Sequence, residues 1–243
     1  MIKKIFNIFN KIKISLVYFF YDLRNFLLKL LTKNINTNFD QKGFSLIKIE
    51  NHKNLNLEKI FNKNLYTSIS NKKNFFFLNS YFSSKILDSL NTKLIYIDCK
   101  KVQNSFFTNL IDDIYKPIKD TLNSNWRCVQ IRAWITKKNS TDNIGPLKFH
   151  TDGMPNSVYK IMIFPKSLNE ENGSIEIENE GILGSLEPTA LLFKNSSIMH
   201  KAIAGKEYDR PVIELTIVRN LFANKNFKIS DLNSTIPLVI VAI

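Results

Sequence analysis

The uneven placement of Gly and Pro constrains this chain more than any other feature. Six of its seven Gly fall between positions 145 and 205, and five of its seven Pro between 146 and 211. That half is therefore cut by tight turns into many short strands, whereas the first half carries longer apolar runs with few breakers. A boundary near residue 125 follows. Downstream of it, Arg210, Val212, Glu214 and Thr216 alternate with Pro211, Ile213, Leu215 and Ile217, a strand with two unlike faces. In the segment 128–135, Cys128, Gln130, Arg132 and Trp134 are expected on one face and Val129, Ile131, Ala133 and Ile135 on the other. Upstream, 55–69 and 83–91 read as helices, 93–98 as a strand and 104–122 as a helix that Pro117 kinks or restarts.

Within the Gly-rich half lie KFHTDG at 148–153, SSIMHKA at 196–202 and DRPVIELTIVR at 209–219. In extended backbone, side chains two apart share a face, so His150 and Asp152 point into one cavity while Thr151 points away. His200 must arrive from another strand. Two His and one carboxylate are the donors of a facial triad, a set that leaves positions open on a non-haem Fe(II). Arg210 follows ten residues after His200, in a chain whose 34 basic residues include only five Arg. The bland alternative is a solvated His150, a core His200 and a surface Arg210.

With those residues in place, the stretch from about Trp126 to Leu221 resembles the double-stranded β-helix core of the Fe(II)/2-oxoglutarate-dependent oxygenases, in their phytanoyl-CoA dioxygenase and prolyl-hydroxylase branches. The parts that carry the resemblance, in order, are VQIRAWI (129–135), FHTDG (149–153), VYKIMIF (158–164), NEENGSIEIE (169–178), TALLFKNSSIMH (189–200) and RPVIELTI (210–217). The run ENEGILGSLEP after Ile177 departs from the Pro-Gly-Ser-His run of the phytanoyl branch. The resemblance implies a mainly β protein with flanking helices and a jelly-roll, cupin-like core. It implies Fe(II) on His150, Asp152 and His200, and 2-oxoglutarate as co-substrate with its distal carboxylate on Arg210. The activity it implies is a dioxygenase, a hydroxylase of a small-molecule, lipid or peptide substrate. An intact Asp152 argues against halogenation, which needs that ligand position freed. If the polar face of 128–135 lines the cavity, Gln130 and Arg132 contact co-substrate or substrate; an exposed polar face gives the same pattern. Glu214 either pairs with an inward cation or sits at the barrel rim.

The expected organisation is a basic amphipathic helix at 1–35, a helical or mixed buttressing region at 36–125, the catalytic core at 126–222 and an extension at 223–243. That extension ends in IPLVIVAI, too short to span a bilayer and suited to docking as a further strand. Along 1–35, Ile5, Phe9, Ile12, Leu16, Phe19, Leu23, Phe26 and Leu30 form one helical stripe. Seven basic residues against the single Asp22 give this segment a formal +6. Such a helix suits an anionic membrane surface, and packing on the protein's own body or on a twin subunit is the alternative. Only Cys99 and Cys128 are present, which points to small buried hydrophobes in a reducing, cytoplasmic compartment, with peripheral contact at the inner face of a membrane. The net charge of +13 comes with no Arg-rich groove and no finger spacing, so nucleic acid is disfavoured. A non-oxidative cupin-like metalloenzyme and an inactive membrane-associated binding protein are the rival classes; oligomeric state has no signature.

Overall fold

A computed structural model describes residues 38–67, 89–90, 92–141, 144–152, 154–194 and 196–220, together with positions 16, 19, 20, 22, 23, 26 and 27 of an N-terminal helix. The expectations for 83–88 and 223–243 lie outside the described residues. The protein is mainly β, and its two antiparallel sheets form a jelly-roll core. The strands are β1 (Phe44–Lys48), β2 (Tyr66–Thr67), β3 (Leu94–Ile97), β4 (Trp126–Thr136), β5 (Val158–Phe164), β6 (Ser174–Ile177), β7 (Gly181–Ile182), β8 (Thr189–Lys194), β9 (His200–Ile203) and β10 (Arg210–Arg219). The large sheet runs β1-β8-β5-β10-β4-β3-β2 and the small one β7-β6-β9. Three strands from upstream of residue 125 thus extend the large sheet.

The central strands are covered on both faces. All seven residues of β5 and all ten of β10 are buried. On the outer face, Ile131, Ala133, Ile135, Ile161, Ile163, Ala190, Leu192, Ile213 and Leu215 pack in one core with Phe107, Leu110, Ile111, Ile114, Ile118 and Leu122 of a long helix. Short helices α1 (Asn38–Lys42) and α2 (His52–Leu55) precede this helix, α3 (Asn104–Leu122). Its apolar residues recur at the helical period, so one stripe covers the sheet. Pro117 lies inside α3 without dividing it, and Asn123, at φ 47°, caps the C-terminus with its N–H on Asp120 O and Lys119 O. Trp126 donates from Nε1 to Tyr115 O (3.0 Å), and its ring stacks on Tyr115, which fixes α3 to the start of β4.

Two expectations change. The segment 55–67 forms short 3-10 turns (Leu57–Phe61 and Lys63–Leu65) and then β2, not a continuous helix. Asn56 adopts φ 45°, and Asn62 accepts Asn64 N–H on its side chain, so two Asn end the helical run. Strand β4 also departs from simple alternation. Gln130 pairs with Thr216 but Cys128 with Ile217, leaving Val129 as the extra residue of a bulge. Cys128 therefore joins the outer core with Ile131, while Val129 packs on Met154, Val158 and Val218. Gln130, Arg132 and Trp134 keep the shared face expected of them, now the inner one.

Candidate metal and carboxylate site

The inner face of the large sheet carries a second apolar cluster that includes Trp134, Met162, Phe164, Ile175, Leu191, Phe193 and Val212. His150, Asp152 and His200 gather beside it. His150 and His200 form an isolated antiparallel bridge in which each backbone N–H donates to the other's carbonyl at 3.0 Å. That bridge fixes the ring centroids 4.5 Å apart, and Phe193 packs edge-on to His200 at 4.9 Å.

Each imidazole is oriented by the chain itself. His150 Nδ1 lies 2.7 Å from Lys148 O and His200 Nδ1 3.0 Å from Ile198 O. A carbonyl can only accept, so both Nδ1 atoms carry the proton and both Nε2 atoms present lone pairs. Those Nε2 atoms face Asp152, His150 at 3.7 Å from Oδ1 and His200 at 3.8 Å from Oδ2. One donor atom from each residue falls within 4.8 Å of the others. Burial, against the pull of the Asp152 carboxylate, pushes the His200 imidazole down to about 4, so it is neutral and able to ligate at neutral pH. Burial opposes ionisation of Asp152, but Lys160 and then the two His hold its carboxyl well below the usual carboxylate range. The loop segment of His150 and Asp152 and the start of β9 thus converge on the donor set of a divalent metal.

Arg210, at the start of β10, is 2% exposed, and its Nε, Nη1 and Nη2 have no hydrogen-bond partner among the described residues. Its guanidinium lies 5.1 Å from the centroid of Phe164, and burial pushes it down to about 9. Gly173 makes the space: at φ +85°, a Cβ there would lie 2.9 Å from Arg210 Cδ. A buried cation without a partner is costly, and a ligand carboxylate is the group whose geometry satisfies it. The donor set and this orphaned guanidinium together fit Fe(II) and 2-oxoglutarate.

Gln130 and Arg132 reach the inner face, where each also contacts a side chain of β10. Thr216 Oγ1 donates to Gln130 Oε1 at 3.3 Å, and Arg132 Nε donates to Glu214 Oε1 at 2.8 Å. Glu214 is buried and paired, with Arg132 and Lys160 outweighing burial to hold its pKa low. Sequence reasoning gave Lys160 no place beside Asp152. The signal was available: Lys160 is the one charged residue of β5, and its position in a wholly buried strand demands anionic partners. Cys99 and Cys128 are free and buried, and burial pushes both thiols up to about 12, which makes them inert.

No protein-family model matches the chain, and no curated protein matches it in sequence. Among solved structures, the non-heme alpha-ketoglutarate-dependent epimerase SnoN from nogalamycin biosynthesis superposes with a TM-score of 0.53 at 9% identity, over 79% of this chain and 84% of that one. The non-heme alpha-ketoglutarate-dependent carbocyclase SnoK from the same biosynthesis gives 0.53 at 8%, over 74% and 81%. A complex of SnoN with Fe3+, alpha ketoglutarate and nogalamycin RO gives 0.50 at 8%, over 73% and 79%. At these identities the likeness is one of fold, the jelly roll of 2-oxoglutarate-dependent oxygenases.

Proposed function

We propose that this chain is an Fe(II)- and 2-oxoglutarate-dependent oxygenase, acting as a hydroxylase on a small-molecule, lipid or peptide substrate. The observation that carries the reading is the pairing of two backbone-oriented His and one Asp with a buried Arg that has no hydrogen-bond partner among the described residues, in one jelly-roll interior. His150, Asp152 and His200 would hold the metal and Arg210 the distal carboxylate of the co-substrate. The bound pair supplies the chemistry, in which O2 and 2-oxoglutarate give succinate, CO2 and one oxygen atom for a substrate C–H bond. The protein's own part is to fix both His tautomers, to keep Asp152 ionised and to shield the interior from water with Phe164, Phe193 and their neighbours. The test is Fe(II)-dependent succinate formation from 2-oxoglutarate, lost in Asp152→Ala. Metal binding without succinate would favour a non-oxidative metalloenzyme, and no metal binding an inactive binding protein.

We further infer a peripheral contact with anionic membrane through residues 1–35. Leu16, Phe19, Phe20, Leu23, Phe26 and Leu27 are helical and exposed, a stripe at the spacing of one helix face. Seven basic residues in the same segment supply the complementary charge. Asp22 Oδ1 accepts Ser157 N–H at 3.2 Å, tying this helix to the loop that follows Asp152. Among the described residues no helix is long and apolar enough to cross a membrane.

A further inference from the structure

Lys160 lies in the middle of a wholly buried strand and contacts two carboxylates. Its Nζ is 2.6 Å from Asp152 Oδ2 and 3.0 Å from Glu214 Oε2; Lys160 and Glu214 are buried and Asp152 is 13% exposed. Glu214 stands opposite Arg132 in the β10–β4 register and receives both Nε and Nη2 of that guanidinium on Oε1. Thr216 stands opposite Lys160 in the β10–β5 register, which sets Lys160 one step along the inner face from Glu214. The result is a row of alternating charge, Arg132, Glu214, Lys160 and Asp152, laid across neighbouring strands and ending on the carboxylate of the metal set.

This row makes the two oxygens of Asp152 unequal. Oδ2 carries the Lys160 ammonium and faces His200 Nε2 at 3.8 Å, whereas Oδ1 faces His150 Nε2 at 3.7 Å with no cation on it among the described residues. Glu214 has each oxygen occupied by a cation, so it is a partner to Lys160 and not a spare metal ligand. We propose that Lys160 is a positioning residue: by holding Asp152 Oδ2 it leaves Oδ1 alone for the metal, and its charge moderates the site's affinity for a divalent cation. The inference rests on reading His150, Asp152 and His200 as the metal set. A carboxylate that grips with one oxygen keeps a coordination position open for the co-substrate, where a two-oxygen grip would fill it. Outer partners of metal ligands ordinarily strengthen binding, and their loss costs about 10–100-fold. A cation in that position acts with the opposite sign, because like charges repel in a low-dielectric interior.

Co(II), whose visible spectrum reports coordination number, is the probe, titrated into the full-length chain and into Lys160→Met and Glu214→Gln. Lys160→Met should bind Co(II) on the order of tenfold more tightly, with an altered visible spectrum and weakened 2-oxoglutarate binding to the Co(II) form. Glu214→Gln should bind Co(II) more weakly, because Lys160 then repels the metal without its counter-charge. Opposite signs in the two variants are the signature, since a merely structural role would weaken both. An unchanged or weaker affinity with an unchanged spectrum in Lys160→Met overturns the proposal. Should that variant fail to fold, unchanged or tighter binding by Glu214→Gln overturns it instead. Failure of the parent chain to bind Co(II) overturns the metal reading itself, and this inference with it.

Discussion

Replacing Arg210 with Met should make the ligand-free protein more stable while removing its response to 2-oxoglutarate. The guanidinium is 2% exposed, its three nitrogens have no hydrogen-bond partner among the described residues, and burial pushes it from the ordinary arginine range down to about 9. A drop of that size corresponds to on the order of 5 kcal/mol disfavouring the charged form. Relaxation and water penetration reduce the effective cost, and the Phe164 face returns about 1 kcal/mol. Met keeps an apolar stem in the space beside Gly173 and removes the charge, so a net gain of about 1–4 kcal/mol is expected. For a chain of this size that is roughly 3 °C in Tm per kcal/mol. Urea unfolding followed by Trp fluorescence reads the first effect. The second is read in the presence of Mn(II), where 2-oxoglutarate at 100 times its Kd should stabilise the parent by about 2.7 kcal/mol and the variant by nothing. A variant less stable than the parent by more than about 1 kcal/mol, or one that keeps the full 2-oxoglutarate shift, would refute the assignment of Arg210 as a cation held in reserve for a ligand.

Gly173→Ala should destabilise the fold by about 2–4 kcal/mol and weaken 2-oxoglutarate binding, because its Cβ would meet Ile203 O at 2.6 Å and Arg210 Cδ at 2.9 Å from a left-handed backbone. Parental stability in thermal unfolding would show that the close approach is not required. Changing the exposed Phe19, Phe20 and Phe26 together to Ser should abolish co-sedimentation with anionic vesicles and leave succinate production intact; a shift in oligomeric state or a loss of solubility would instead assign the stripe to a protein contact.

In the Gly-rich half β5 and β10 were legible, the first from a run that carries the family resemblance and the second from its alternating faces. The 158–164 expectation coincides with β5, and the alternation at 210–217 places Arg210, Glu214 and Thr216 on one face as β10 does. The bulge at Val129 was not legible, since an extra residue in β4 is fixed by its pairing with β10 and leaves no mark in the local pattern. The helix expected at 55–69 failed for a local reason that the sequence did contain, the Asn residues at 56 and 62. At the site, residue types and spacing pointed to His150, Asp152, His200 and Arg210. Burial, tautomer and the Lys160–Asp152 contact depend on strands distant in sequence, and only the assembled sheet brings them together.

Anaerobic titration of the protein with Fe(II) and 2-oxoglutarate reads whether iron and co-substrate share one site on His150, Asp152 and His200. A visible charge-transfer band should appear that requires both components, saturates at one equivalent of iron and is absent from Asp152→Ala. Tight binding of neither iron nor 2-oxoglutarate, or a band of parental strength in Asp152→Ala, would contradict that assignment.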